Sequence, residues 1–264
     1  MVARCLFDGS EMPGLFAHGI VVKGDVFLCD GFQVKDEVSL SGAELGGQLC
    51  CIRGTFNNPE GYALTAEGIT VKDSILLCHF FAANGLVTLS GAQITGQLEC
   101  GGGTFSSPGG CALNVQGIHV KGSVFLNHGF QAKGEVRLAS ARIDSQLEIT
   151  DATFSNIGGD ALNAQRMHVA NSLHWRNVKI NQGSVYFGSA RVGSLVDDIK
   201  SWPEIGQLYL DGFIYGRISE APTDATTRLD WLARGSTSNG EFFPQPYVQL
   251  AKVLREMGHE RDAR

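Results

Sequence analysis

Proline and long apolar runs are scarce in this chain. Only 7 of its 264 residues are proline whereas 34 are glycine, so the composition indicates many tight turns between short strands and not disorder. No run of roughly 18 consecutive apolar residues occurs, and no membrane-spanning segment is expected. The opening segment, MVARCLFDGSEMPG, lacks the apolar stretch of a signal peptide, so none is expected there.

Basic charge is also limited. Lysine and arginine total 21 against 27 acidic residues, which gives a net charge of −6 at pH 7. This balance argues against a general nucleic-acid binder, so no direct nucleic-acid partner is expected. The seven cysteines are an odd number without C-x-x-C spacing, which favours free thiols in a reducing, cytoplasmic location.

A long internal repeat determines the predicted fold. The segments GIVVKGDVFLCDGF, GITVKDSILLCHFF and GIHVKGSVFLNHGF begin at Gly19, Gly68 and Gly117, and each is followed by a similar second half such as SGAELGGQLCC. Each unit is itself a duplication, because GIVVKGDV at Gly19 matches GAELGGQL at Gly42. The next copy begins at Gly68, so the coils alternate in length between about 23 residues and about 26 residues.

Apolar residues two positions apart within each coil indicate short strands with an inward face, separated by polar corners. Coils of these two lengths fit a right-handed parallel β-helix better than a left-handed hexapeptide helix or a pentapeptide-repeat quadrilateral. We therefore predict an all-β protein with a right-handed parallel β-helix of about nine coils over residues 1–216 and a short α-helical cap over residues 217–264.

Stacked coils bring equivalent residues about 4.8 Å apart and predict interior rows of side chains. Cys51 and Cys100 share one inward row two coils apart, and Cys29 and Cys78 share another, so core thiols are expected and not disulfides or metal ligands. The predicted phenylalanine row is Phe7, Phe32, Phe56, Phe81, Phe105, Phe130 and Phe154. The predicted leucine row is Leu15, Leu40, Leu64, Leu89, Leu113, Leu138 and Leu162, followed by Phe187.

The repeat pattern stops near Arg217, and helix signals follow it. Thr223 or Asp224 is a candidate N-cap for a helix that ends before Gly235. A second helix is predicted with an apolar face that consists of Tyr247, Leu250, Ala251, Leu254 and Met257. We expect these helices to cover the open edge of the last coil.

The segments VKGSVFLNHGFQAKGEVRLASARIDSQLE and PQPYVQLAKVLREMGHERDAR resemble bacterial β-helical repeat proteins that are distantly related to the pentapeptide-repeat superfamily. Some members of that group are labelled membrane-associated oxidoreductase. The resemblance implies the fold but supplies no agreed catalytic residues. The chain has neither a G-x-G-x-x-G segment that opens a helix after a strand nor a P-loop, so no redox cofactor is expected.

One outward row of the predicted stack becomes basic along the axis. It runs Val21, Glu44, Thr70, Gln93, His119, Arg142, His168 and Arg191, and His174 and Arg176 add charge on the next strand. Close basic neighbours disfavour protonation, so these histidines are expected to be neutral near pH 7. Such a row suits an anionic partner. The alternatives are a solvated face whose charges neighbouring carboxylates balance, and a metal site.

A second candidate region breaks the repeat after the last regular coil. Asp197 and Asp198 lie in the segment VDDIKSWPE, and Trp175, Tyr186 and Trp202 belong to the same irregular part of the chain. Together these residues are candidates to line a groove. Packing of irregular coils by the aromatic side chains is the alternative.

Three functional hypotheses follow. The first is a non-enzymatic interaction or scaffold protein that presents a flat face to a protein partner, or that self-associates through its N-terminal end. The second is a carbohydrate-active or other enzyme with its site on the 166–211 face. The third is a DNA mimic that binds topoisomerases, which would need a dense acidic stripe. No catalytic residue, metal ligand or cofactor is predicted.

Overall fold

The chain winds into stacked coils of parallel strands in the computed structural model, which describes residues 3–4, 12–204, 206–235 and 242–264. Over these residues the strands form two sheets, of 16 and 10 strands. The strands up to residue 50 are β1 (Ala3–Arg4), β2 (Leu15–Phe16), β3 (Val21–Val22), β4 (Val26–Phe27), β5 (Gln33–Val34), β6 (Val38–Ser39), β7 (Glu44–Leu45) and β8 (Leu49–Cys50).

The later elements include three long strands, each of 11 residues. Residues 51–163 form β9 (Thr55–Thr65), β10 (Thr70–Val71), β11 (Ile75–Leu76), β12 (Ala82–Thr88), β13 (Gln93–Ile94), β14 (Leu98–Glu99), β15 (Thr104–Asn114), β16 (His119–Val120), β17 (Val124–Phe125), β18 (Gln131–Arg137), β19 (Arg142–Ile143), β20 (Leu147–Thr150) and β21 (Thr153–Asn163). The remaining elements are β22 (His168–Arg176), β23 (Lys179–Tyr186), β24 (Arg191–Asp197), a 3-10 turn (Ile199–Ser201), β25 (Leu208–Tyr209), β26 (Ile214–Ile218), α1 (Ala225–Ala233) and α2 (Gln245–Glu256).

The strands lie on three faces. The first face consists of β3, β7, β10, β13, β16 and β19, the second of β1, β4, β8, β11, β14, β17 and β20, and the third of the 10-stranded sheet. Strand β22 joins the first two faces, because His168 and Val169 pair with β19 whereas Leu173–Arg176 pair with β20. Strands β24 and β26 continue this arrangement over the last coils.

One corner of each coil holds a residue with a positive φ angle. The left-handed conformation is readily available to glycine, which occupies this corner in six of the nine coils over the described residues. The residues at this corner are Gly19, Gly42, Gly68, Gly91, Gly117, Ser140, Arg166, Ser189 and Gly212. Their spacing alternates between a shorter and a longer interval up to Ser189, and the last interval is again short, so the predicted coil lengths and coil number are confirmed.

The extra residues of the longer coils lie within β9, β15 and β21. Strand β12 pairs with β9 so that the longer segment between Asn57 and Leu64 faces only Gly85 and Leu86. Similar shifts of register occur where β18 pairs with β15 and with β21. The additional residues bulge outward on the third face and leave the interior spacing intact.

The phenylalanine row is confirmed from Phe32 to Phe154. Successive ring centroids are 5.2–5.5 Å apart, and these rings are buried. The backbones alternate, however, because Ala83, and not Phe81, pairs with Phe56 and Phe105. The small side chain of Ala83 leaves room for the ring of Phe81, two residues earlier. Phe7 lies outside the described residues.

The predicted leucine row is wrong in alternate coils. Leu64 pairs with Val38 and Val87, whereas Leu89 lies two residues beyond Val87 in a neighbouring row. The equal spacing from each phenylalanine to the next leucine suggested one row, but the phenylalanines themselves alternate by two positions. The correct row is Leu15, Val38, Leu64, Val87, Leu113, Val136, Leu162, Val185 and Leu208.

The two helices pack against the last coil. Asp224 is the N-cap of α1 and accepts a hydrogen bond from the Thr227 amide at 2.9 Å, which confirms one of the two predicted caps. Helix α2 lies along β26, where Gln249 Nε2 donates to the Tyr215 carbonyl at 2.8 Å and Gln245 Oε1 accepts from the Gly212 amide at 2.8 Å. These side chains bond backbone groups at the edge of the last coil.

The buried face of α2 differs in part from the prediction. Leu250 and Leu254 are buried as expected, Ala251 is half-buried, and Tyr247 and Met257 are partly buried against the core. Gln249 and Val253 complete the buried face over the described part of the helix. Gln249 is buried because its side-chain amide donates a hydrogen bond to the backbone of β26.

Candidate functional site

The predicted basic row lies on the first face with the expected register. His119 pairs with Arg142, Arg142 with His168, and His168 with Arg191, on strands β16, β19, β22 and β24. The preceding rungs are Val21, Glu44, Thr70 and Gln93, and the following one is Ile214. We call His119, Arg142, His168 and Arg191 the basic row.

Asp144 neutralises the N-terminal half of the basic row. Its Oδ2 lies 2.9 Å from His119 Nε2, and its Oδ1 accepts a hydrogen bond from Arg142 Nε at 2.9 Å. The hydrogen bond from His119 is the largest cause of a lowered pKa of Asp144, and the bond from Arg142 acts in the same direction. Asp144 was not among the predicted site residues, although side chains two positions apart in an extended segment lie on the same side.

The C-terminal half of the basic row has no such carboxylate. The positions two residues after His168 and Arg191 hold Ala170 and Gly193, so the row that contains Asp144 has no acidic side chain on these coils. His168 and Arg191 are exposed, and neither makes an ion pair within the described part of the chain. Arg166, at the adjoining corner, is also exposed and without an ion pair in this part of the chain.

The backbone beside Arg191 leaves room for glycine only. A Cβ on Gly193 would lie 2.5 Å from the Ala170 carbonyl oxygen and 2.6 Å from that of Asn171. A Cβ on Gly216, in the next coil, would lie 2.7 Å from the Gly193 carbonyl oxygen. The surface beside Arg191 is therefore bare backbone, which a partner can approach closely.

His174 and Arg176 lie apart from the basic row, on the second face. His174 is half-buried and pairs in register with Glu148 and Val196. Arg176 Nη1 lies 3.3 Å from a carboxylate oxygen of Glu220, and its Nη2 donates to the Glu220 carbonyl. Arg176 therefore fixes the segment before α1 and does not extend the basic row.

The residues predicted to line a groove do not form one. Trp175, Trp202 and Asp197 are buried, and the two indole rings stack at a centroid distance of 5.0 Å. The irregular segment folds inward because the last coils need large side chains to fill the core beneath α1. Asp198 caps the 3-10 turn by accepting from the Ser201 amide at 2.8 Å.

Asp197 is sequestered in an ion pair with Arg228 of α1, and both side chains are fully buried. The carboxylate also accepts a hydrogen bond from Trp202 Nε1 at 2.7 Å. A carboxylate held in this way does not reach a substrate, so Asp197 is not available to an enzyme site on the 166–211 face. Tyr186 lies elsewhere, on the third face, where its ring stacks on that of Tyr209 at 5.1 Å.

The cysteines of the described region are free thiols, and Cys51 and Cys100 are fully buried in the predicted inward row. Burial is the main cause of their raised pKa values, and it raises the pKa of Cys78 to about 11. Thiols with raised pKa values are weak nucleophiles near neutral pH. Cys5 lies outside the described residues.

Over the described ranges, no group of three or more His, Cys, Asp or Glu side chains is arranged to hold a metal ion. Within the same ranges, no helix is both long enough and apolar enough to cross a bilayer. No protein-family model, curated protein or solved structure matches the chain.

Proposed function

We propose that the protein is a non-enzymatic interaction module whose first face binds an acidic protein partner. One observation carries the proposal: the carboxylate that neutralises His119 and Arg142 has no counterpart beside His168 and Arg191. Arginine side chains without an internal partner are available for charge-assisted hydrogen bonds to carboxylates.

The backbone supports this role by holding the Cα atoms of His168 and Arg191 at a fixed spacing. His168 and Arg191 stand on paired strands, so their Cα atoms are separated by about 4.8 Å. The β-sheet prevents this spacing from changing, and the bare surface at Gly193 allows close contact. A backbone that is already ordered loses no further conformational freedom when a partner binds.

The test uses a fluorescent poly-L-glutamate peptide as the acidic probe and measures its anisotropy. A double substitution, His168→Ala with Arg191→Ala, should weaken binding about tenfold, since charge-assisted hydrogen bonds are lost. The double substitution His119→Ala with Arg142→Ala is the matched control, and it should have a smaller effect because Asp144 already binds both side chains. Equal effects of the two changes would contradict the proposal.

The reverse change should strengthen binding. Asp144→Asn removes the carboxylate that holds His119 and Arg142, so all four members of the basic row become available. We expect affinity for the same probe to rise about threefold to tenfold. No increase would show that the N-terminal half of the row does not contact the probe.

Self-association through the N-terminal end is a second candidate. Phe16, Ile20 and Val21 are 62%, 41% and 67% exposed, and β2 and β3 lie at the ends of their sheets over the described residues. Apolar side chains beside strand edges favour pairing with a second copy. Light scattering after size exclusion should show a dimer that the substitution Val21→Lys converts to monomer, and a wild-type monomer would exclude this candidate.

A further inference from the structure

A cavity of about 210 Å³ lies where the last coils meet the helical cap. It is lined by side chains from β23, β25, the end of α1 and the start of α2. The lining residues on the solenoid are Tyr186, Leu208, Tyr209, Leu210 and Asp211. Those on the cap include Phe242 and Tyr247.

Aromatic side chains enter this cavity from two directions. Tyr186 and Tyr209 occupy paired positions on neighbouring coils, and their rings stack at 5.1 Å with an interplanar angle of 23°. Phe242 and Tyr247 form a second pair, with centroids 5.1 Å apart. Aromatic rings therefore line the cavity from both sides, and the face of each ring carries a partial negative charge.

The charge of the lining has a single sign. Asp211 is the one charged side chain among the lining residues, and no lysine, arginine or histidine lines the cavity over the part of the chain that the structure describes. Asp211 is exposed, and its carboxylate makes neither an ion pair nor a hydrogen bond within the described ranges. An unpaired carboxylate beside aromatic rings favours a cation over a neutral or anionic ligand.

We propose that this cavity binds a small, free quaternary ammonium compound. A cation without N–H groups needs no hydrogen-bond acceptor, and aromatic faces together with one carboxylate satisfy its charge. The volume is suitable, since a cavity of about 150 Å³ accommodates benzene. The structure thus combines three requirements for such a ligand: size, aromatic walls and one negative charge.

Choline and its uncharged isostere 3,3-dimethylbutan-1-ol form a matched pair of probes. The two molecules share shape and hydroxyl group and differ in the positive charge. Titrations of the full chain, followed by the methyl resonances of each probe, should show that choline binds about tenfold more tightly. Equal affinities, or the absence of choline binding, would overturn the proposal.

Substitutions then assign the charge and the rings. Asp211→Asn keeps the side-chain shape and should weaken choline binding about fivefold to tenfold, whereas Tyr209→Leu removes one π face and should weaken it about threefold or more. Asp230→Asn is the matched control, because Asp230 is an exposed acid on α1 that does not line the cavity. Each variant is compared with the wild type by thermal unfolding to verify that it is folded.

Two results from the variants would refute the assignment. Unchanged choline affinity in Asp211→Asn would show that the carboxylate does not contact the cation. An equal loss in Asp230→Asn would show that the net charge of this end of the molecule, and not the cavity, attracts choline.

Discussion

The guanidinium of Arg228 forms two hydrogen bonds with the carboxylate of Asp197, at 2.8 and 2.9 Å, and water reaches neither side chain. Arg228 Nε also donates to the Pro222 carbonyl at 2.7 Å, and the guanidinium lies 5.4 Å from the ring centroid of Trp231. This buried pair connects α1 to the last coils of the solenoid. Its partners satisfy most of the polar groups that folding removes from water.

Removal of one member of this pair should destabilise the protein strongly. Arg228→Met leaves the Asp197 carboxylate buried without its counter-ion, so we expect a loss of roughly 3–5 kcal/mol in the free energy of unfolding. Urea denaturation measures this loss. Arg53→Met is the control, because Arg53 and Asp30 form a pair that is 63% and 67% exposed, and its loss should cost less than about 1 kcal/mol. Similar costs at the two sites would contradict this assignment.

The hydrogen bond from Gln249 to the Tyr215 carbonyl should also contribute to stability. Gln249→Leu replaces the amide with an apolar side chain of similar size and leaves that carbonyl without its donor, which should cost about 1–3 kcal/mol. Hydrogen exchange of the β26 amides should become faster as α2 detaches. Val248→Leu, at the neighbouring position that is 66% exposed, should leave both the stability and the exchange rates close to wild type.

Two adjacent phenylalanines provide an internal comparison for the ring row. Phe81 is fully buried between Phe56 and Phe105, whereas Phe80 is 80% exposed. Phe81→Ala should therefore cost roughly 3–5 kcal/mol, and Phe80→Ala should stay within about 0.5 kcal/mol of wild type. Chemical denaturation of both variants under one set of conditions decides the point. Comparable losses would mean that Phe81 does not belong to a packed interior row.

The ion pairs of Asp144 predict a pH dependence with a definite sign. The hydrogen bond from His119 lowers the pKa of Asp144 below 3.8, its ordinary value. A carboxyl with a lowered folded pKa adds stability above its unfolded value and loses it as the pH falls through the folded value. The wild type should therefore lose stability below pH 3.8 that Asp144→Asn does not lose. The contribution is modest because the carboxylate is 31% exposed. Urea unfolding of the two proteins at several pH values measures it, and the same pH dependence of the free energy of unfolding in both would exclude it.

The periodic part of the fold could be predicted from the sequence because each coil repeats the same local signals. Glycine at the positive-φ corners and apolar residues at two-residue spacing indicated the coil lengths, the ring row and the register of the basic row. The leucine row failed because equal spacing in the chain does not require equal positions in space. Leu64 and Leu89 each follow a phenylalanine at the same interval in the chain, yet those phenylalanines alternate by two positions on the backbone.

The non-repeating part could not be predicted in the same way. The pairing of Asp197 with Arg228 joins residues 31 positions apart in segments that have no repeat to align them. The adjacent acids and two tryptophans suggested an open groove, but Asp197, Trp175 and Trp202 are buried beneath α1. The contact of Asp144 with Arg142 could have been predicted, because the two residues are two positions apart in an extended segment and their side chains point to the same side.

The position of the phenylalanine alternates from one coil to the next, so the repeating unit of the rod is a pair of coils. Phe56 and Phe105 contribute their rings from strand positions, whereas Phe81 contributes its ring from the corner before the strand. Removing residues 68–116 would place equivalent coils in contact, shorten the rod by about two strand spacings, or roughly 10 Å, and leave both ends unchanged. Removing one coil alone from the alternating part, up to Ser189, would place two rings of the same kind against each other, so this part of the rod changes length in even steps.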